Sequence, residues 1–88
     1  MSKGKRVKAI NSPNLDEPIS LELIAKAIKA RRTQLGLDSK TASMLSDVSL
    51  VTLSKVENAS SGVRLESVLK IAKALGIEFK ILDWSKDE

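Results

Sequence analysis

Apolar side chains return at three- and four-residue steps in several stretches of the chain, and one short stretch near the carboxyl end alternates them instead. Leu21, Ile24, Ala25, Ile28 and Leu35 form the first helical pattern. It predicts a helix opened by Ser20 as its cap and stopped by Gly36, which takes a left-handed backbone without a Cβ clash. Ahead of it, Ser12-Pro13-Asn14 and Asp16-Glu17-Pro18 read as a loop, because prolines deny a helix its donors. A second, short helix opens at Asp38, whose carboxylate can accept from the free amides of the first turn, and runs to Ser46. A third opens at Ser49 with Leu53 and Val56 turned inward. A fourth spans roughly Leu65 to Leu75, with Leu65, Val68, Leu69, Ala72 and Leu75 inward, Lys70 and Lys73 outward, and Gly76 ending it.

The second and third helices are separated by only Ser46-Asp47-Val48, so the chain must turn sharply there. The small Ser43 sits where the two helices cross too closely for a large side chain. Rotating the third helix by 100° per residue with Leu53 and Val56 inward leaves Val51, Ser54, Lys55 and Asn58 on the opposite side, with Leu50 at its edge. Val51 is the informative one. A β-branched apolar residue has no folding role on a solvent face, whereas contact with a thymine methyl group would give it one. The plain alternative is that Leu50 and Val51 are ordinary exposed aliphatics; Thr52 and Lys55 beside them favour the groove.

After Gly76 the period changes. Ile77-Glu78-Phe79-Lys80-Ile81 alternates apolar and charged positions, the pattern of a half-exposed strand. A lone strand has no partner. Two copies side by side across a twofold axis would satisfy each other's edge amides and bury Ile77, Phe79 and Ile81. The rival reading is a fifth helix from Ile77 to Trp84. Trp84 suits either a partner anchor or a cap on the core.

Composition narrows the rest. At 88 residues the chain holds one domain and buries roughly 60 to 65 per cent of its unfolded surface, so dimerisation is expected on size alone. With neither cysteine nor histidine, disulfides and thiolate or imidazole metal sites are excluded, no metal or other cofactor is expected, and a reducing cytoplasm fits. No run reaches membrane-spanning length, and the basic start leads into Asn11-Ser12-Pro13 rather than the apolar core of a signal peptide.

The net charge of +4 is uneven: residues 1–10 carry +4, residues 21–36 carry +3, and residues 37–58 carry −1. Lys3, Lys5, Arg6 and Lys8 suit an arm that tracks phosphates or enters a minor groove. A solvated tail is the other reading of them, and Val7 and Ile10 alternate well enough to pair as a short strand. Lys26, Lys29, Arg31 and Arg32 read as the wet face of the first helix. The loop Ala59-Ser60-Ser61-Gly62-Val63 offers amides that can approach a phosphate closely, and Arg64 adds a charge there. These features divide the chain into a basic arm and loop (1–18), a helical domain (19–76), a dimerisation strand (77–84) and an acidic tail (85–88).

Residues 21–76 resemble the lambda-repressor-type helix-turn-helix domain of the XRE family of bacterial and phage regulators. The resemblance is carried by Gly36-Leu37, Ser43, Val48-Ser49, Thr52-Leu53-Ser54, Glu57-Asn58 and the run from Leu65 to Gly76. It implies a four-helix, mainly α fold in which Ser49, Leu50, Val51, Ser54 and Lys55 read base edges while Ser39, Thr52 and Asn58 hold phosphates. Two positions depart from the family pattern. Asp38-Ser39 stands where many members have Thr-Gln, which weakens the phosphate clamp, and Asp47 stands where the turn usually carries glycine. A domain of this type followed directly by a strand resembles the short HipB-like antitoxins. That resemblance implies a homodimer that binds palindromic operator DNA, represses its own operon and holds a kinase-type toxin.

Three classes of function are open to such a chain. The leading one is a sequence-specific DNA-binding repressor, with two recognition helices in successive major grooves about 34 Å apart; a stand-alone phage-type repressor is its variant. The second is a protein-interaction adaptor with residual DNA binding, favoured by the missing glutamine and the near-neutral segment 37–58. An enzyme is argued against: the serines occupy caps, turns and a helix crossing with no histidine as their base, and the glycines are scattered singly.

Overall fold

The computed structural model describes residues 7–84, which form four helices in chain order: α1 (Leu21–Gln34), α2 (Ser39–Ser46), α3 (Leu50–Glu57) and α4 (Leu65–Leu75). Three starts are capped by the side chains that the sequence nominates. Ser20 Oγ accepts the Leu23 amide at 3.0 Å, Asp38 Oδ1 the Thr41 amide at 2.8 Å, and Ser49 Oγ the Thr52 amide at 3.0 Å. Each bond satisfies a donor that the first turn leaves without an intrahelical partner. At the α4 start, Arg64 gives no side-chain cap bond. Gly36 and Gly76 adopt φ of +74° and +78°, the left-handed stops of α1 and α4.

All four helices contribute to one core of Ile28, Ala42, Leu53, Val56, Val68, Ile71 and Leu75. Ile24, Leu37, Val48, Val63, Ile77 and Phe79 pack against its edge. Ser43 is buried on α2, and its hydroxyl donates to the Lys40 carbonyl at 2.8 Å, so a small polar residue is accommodated without an orphaned group. Among the described residues no helix is long and apolar enough to cross a membrane.

The structure corrects two expectations and rules out the rival fifth helix. Leu65 and Leu69 do not point inward; they are 68% and 45% exposed, and Ile71 is fully buried in their place. The buried stripe of α4 runs through Val68, Ile71, Ala72 and Leu75, and at 100° per residue Leu65 and Leu69 lie on one flank of it with nothing packed over them. Leu21 and Leu35 are exposed as well, because they stand at the two ends of α1, where no other helix overhangs. Arg32 is not on the wet face but buried and paired with Glu57. Finally, residues 77–84 form no fifth helix, nor any strand within the single chain. Ile77 and Phe79 are half-buried against the core edge, Glu78 and Lys80 are exposed, and Ile81 is 95% exposed.

Candidate nucleic-acid interface

The site is built on the short connection between α2 and α3. Asp47 takes the left-handed conformation (φ 58°, ψ 44°), and its amide closes onto the carbonyls of Met44 and Ser43. The Val48 amide reaches the Ser43 carbonyl at 3.1 Å. Asp tolerates this backbone better than most residues with a Cβ, so the turn forms without glycine. α3 follows with one side left exposed. On that side Leu50, Val51, Ser54 and Lys55 are all exposed, Val51 at 64%, while Leu53 and Val56 anchor the opposite side in the core.

A second fixture holds α3 from its other end. Arg32 Nε and Nη2 donate to the two carboxylate oxygens of Glu57 at 2.7 and 3.0 Å, and Arg32 Nη1 donates to the Leu37 carbonyl at 2.8 Å. This fork ties α1, the α1–α2 corner and the last residue of α3 together, and its planar bidentate geometry fixes direction as well as distance. It also neutralises the acidic charge closest to the carboxyl end of α3. Asp47, on the exposed turn, lies 3.7 Å from Lys70 Nζ.

The candidate phosphate-holding residues are only partly brought together. Thr52, Lys55 and Arg64 line a shallow depression of about 280 Å³ with Gly62, Val63 and Ser67. Within it the Thr52 hydroxyl accepts from Ser49 Oγ at 3.0 Å, so Thr52 belongs to the cap as well as to the rim. Ser67, in the first turn of α4, was missed by sequence reasoning; it stands three residues after Arg64, which precedes the helix. Asn58 faces the outer side of α3, where its amide donates to Ser54 Oγ at 3.3 Å. Ser39 stands apart at the start of α2, half-buried. Lys8 is exposed, while Lys3, Lys5 and Arg6 lie outside the described residues. The segment after Lys8 is pinned to the end of α1. The Ile10 amide donates to Thr33 Oγ1 at 3.0 Å, and Gln34 Nε2 donates to the Ile10 carbonyl at 2.8 Å and to Ser12 Oγ at 3.1 Å.

Comparison with known proteins agrees with this geometry. A family model described as helix-turn-helix matches residues 28–82. No curated protein matches the chain in sequence. Among solved structures, one described as a complex of HipB with an O2 20mer is similar at a TM-score of 0.70 and 22% identity, covering 82% of this chain and 100% of that one. A HipA–HipB–O2–O3 complex and a structure described only as MDT protein are similar at the same TM-score and identity, each covering 81% of this chain and 100% of the other. At that identity the likeness bears on the fold.

Proposed function

We propose that this chain, which belongs to the XRE-type helix-turn-helix family, is a homodimeric repressor that binds palindromic operator DNA through α3 and serves as the antitoxin of a HipBA-like operon. The observation that carries the reading is the outer side of α3. Val51 and Leu50 stand in solvent beside Ser54 and Lys55, on a helix whose other side and both ends are fixed. Apolar contact with a thymine methyl, and a lysine donating to a guanine edge, are the contacts such a side makes in a major groove. Ser49, Leu50, Val51, Ser54 and Lys55 are assigned to bases; Ser39, Thr52, Asn58 and Arg64 to phosphates; and Lys3, Lys5, Arg6 and Lys8 to backbone contacts beyond the helices. Ile77, Phe79 and Ile81 are assigned to the dimer interface. The likeness to HipB, seen in complexes with O2 and with HipA, supports a kinase-type toxin as the protein partner. Cytoplasmic location follows from that role.

A titration of the duplex upstream of the gene, with sizing of the protein in parallel, tests the reading. It expects a dimer that shifts the cognate duplex and spares a scrambled one; equal affinity for both duplexes would overturn it. Purification from the native source should also bring a stoichiometric second protein. The adaptor reading is favoured by one structural observation, the exposure of the large apolar side chains Met44 and Leu45 on α2. It expects the second protein to be retained while DNA discrimination is absent.

A further inference from the structure

The pentapeptide Ile77-Glu78-Phe79-Lys80-Ile81 reads the same in both directions except that its two charges exchange sign. We infer that it specifies its own antiparallel partner in a second copy of the chain, with the twofold axis passing beside Phe79. This rests on the dimer proposed above and adds its register.

In antiparallel strands, directly opposed residues share a face and lie about 4.5 to 5.5 Å apart. Opposing Phe79 to the partner's Phe79 puts Glu78 against the partner's Lys80, Lys80 against the partner's Glu78, and Ile77 against the partner's Ile81. Every apolar residue meets an apolar one, each charge meets its opposite, and the Glu78–Lys80 pair forms twice. The neighbouring registers fail. Moving the axis to Glu78 opposes two carboxylates, and moving it to Lys80 opposes two ammonium groups. A slip by half a step sets apolar residues against charges.

The single chain is already laid out for this pairing. Ile77 and Phe79 rest half-buried on the core edge and Glu78 and Lys80 stand clear, as one alternating segment requires. Ile81 continues the apolar side but is 95% exposed, with no surface of its own subunit beneath it. In the inferred register it lies beside the partner's Ile77, at the rim of the partner's core. The segment also borders a largely apolar groove of about 650 Å³ whose other wall includes Leu15, Ile19 and Leu23, so the ribbon is continuous with further apolar surface.

Charge reversal tests the register directly. Glu78→Lys alone and Lys80→Glu alone each oppose like charges twice, and each should weaken self-association at least about tenfold, measured by sedimentation at low salt. The two single variants mixed together should form a heterodimer, and the double variant Glu78→Lys with Lys80→Glu should regain the wild-type association. Since the chain has no cysteine, a second measurement is available on the same surface. Under mild oxidation, Ile77→Cys mixed with Ile81→Cys should cross-link, whereas Ile81→Cys alone should not, its two copies being about 13 Å apart along the ribbon.

A monomeric wild type, single reversals that associate as tightly as the wild type, or self-cross-linking of Ile81→Cys would overturn the register. Wild-type titration on promoter duplex separates the two readings: a dimer of this register that ignores DNA removes the repressor and keeps the ribbon. A promoter-binding chain indifferent to both reversals does the opposite.

Discussion

Arg32 and Glu57 show how one buried pair fixes the end of a helix whose other side is exposed. Both side chains are about nine-tenths buried, and the guanidinium spends its donors on the Glu57 carboxylate and the Leu37 carbonyl. Removing either partner strands the other charge inside the domain. Arg32→Ala is therefore expected to cost about 3 to 5 kcal/mol of stability, read from urea unfolding, and Glu57→Ala a similar amount. The double substitution should cost clearly less than the two singles together. Lys55 behaves differently because it is exposed and contributes nothing to the core. Lys55→Ala should leave the unfolding midpoint in place, weaken operator binding by about 1 to 3 kcal/mol and relax discrimination at one base position. Unchanged affinity across a panel of single-base operator variants would remove Lys55 from the base-reading set.

Between the elements, the α2–α3 turn depends on Asp47 in the left-handed region. A β-branched side chain is strongly disfavoured there, so Asp47→Val should lower stability by about 1 to 2 kcal/mol, seen as a drop in Tm, while Asp47→Gly should melt at or above the wild type. This turn and the three capped starts were legible in the sequence, because each is a local matter of one side chain and the amides next to it. The expected inner side of α3 held for the same reason: Leu53 and Val56 are the apolar pair that an eight-residue helix offers inward. α4 was harder. It carries more apolar positions than its neighbours can cover, so periodicity alone admitted Leu65 and Leu69 and overlooked Ile71, a choice settled by the placement of the other helices. Arg32 was misplaced because its partner lies 25 residues away, and no local pattern announces such a pair. For the candidate site, the outer side of α3 was readable from the helix period. The joining of Thr52, Lys55, Arg64 and Ser67 around one depression was not, since it depends on how the α3–α4 loop folds back.

At the scale of the whole molecule, charge and symmetry complete the account of this helix-turn-helix DNA-binding regulator. The recognition segment is close to neutral, and the basic excess sits in the first ten residues and α1. On the proposed function affinity and choice are divided: the arm would contribute to the pull toward phosphates, and α3 would select the sequence. Neutralising Lys5 and Arg6 together should weaken binding to all duplexes almost equally and flatten the plot of log K against log salt by roughly 4 for a dimer, which loses two charges from each of its two arms. A loss confined to the cognate sequence would contradict that division. A ribbon centred on Phe79 would pair two subunits and present two copies of α3 to one face of a duplex, as a palindromic site requires.

The most direct test of the claim that the outer side of α3 reads bases is a fluorescence-anisotropy titration of the wild type and of Val51→Asp on the chain's own promoter duplex and on a scrambled duplex at one salt concentration. Val51 is 64% exposed, so the variant should keep the wild-type Tm. The account predicts a wild-type preference of about 10³ or more for the promoter and its near-complete loss in the variant. A variant that still prefers the promoter, or a wild type that binds both duplexes alike, would contradict it.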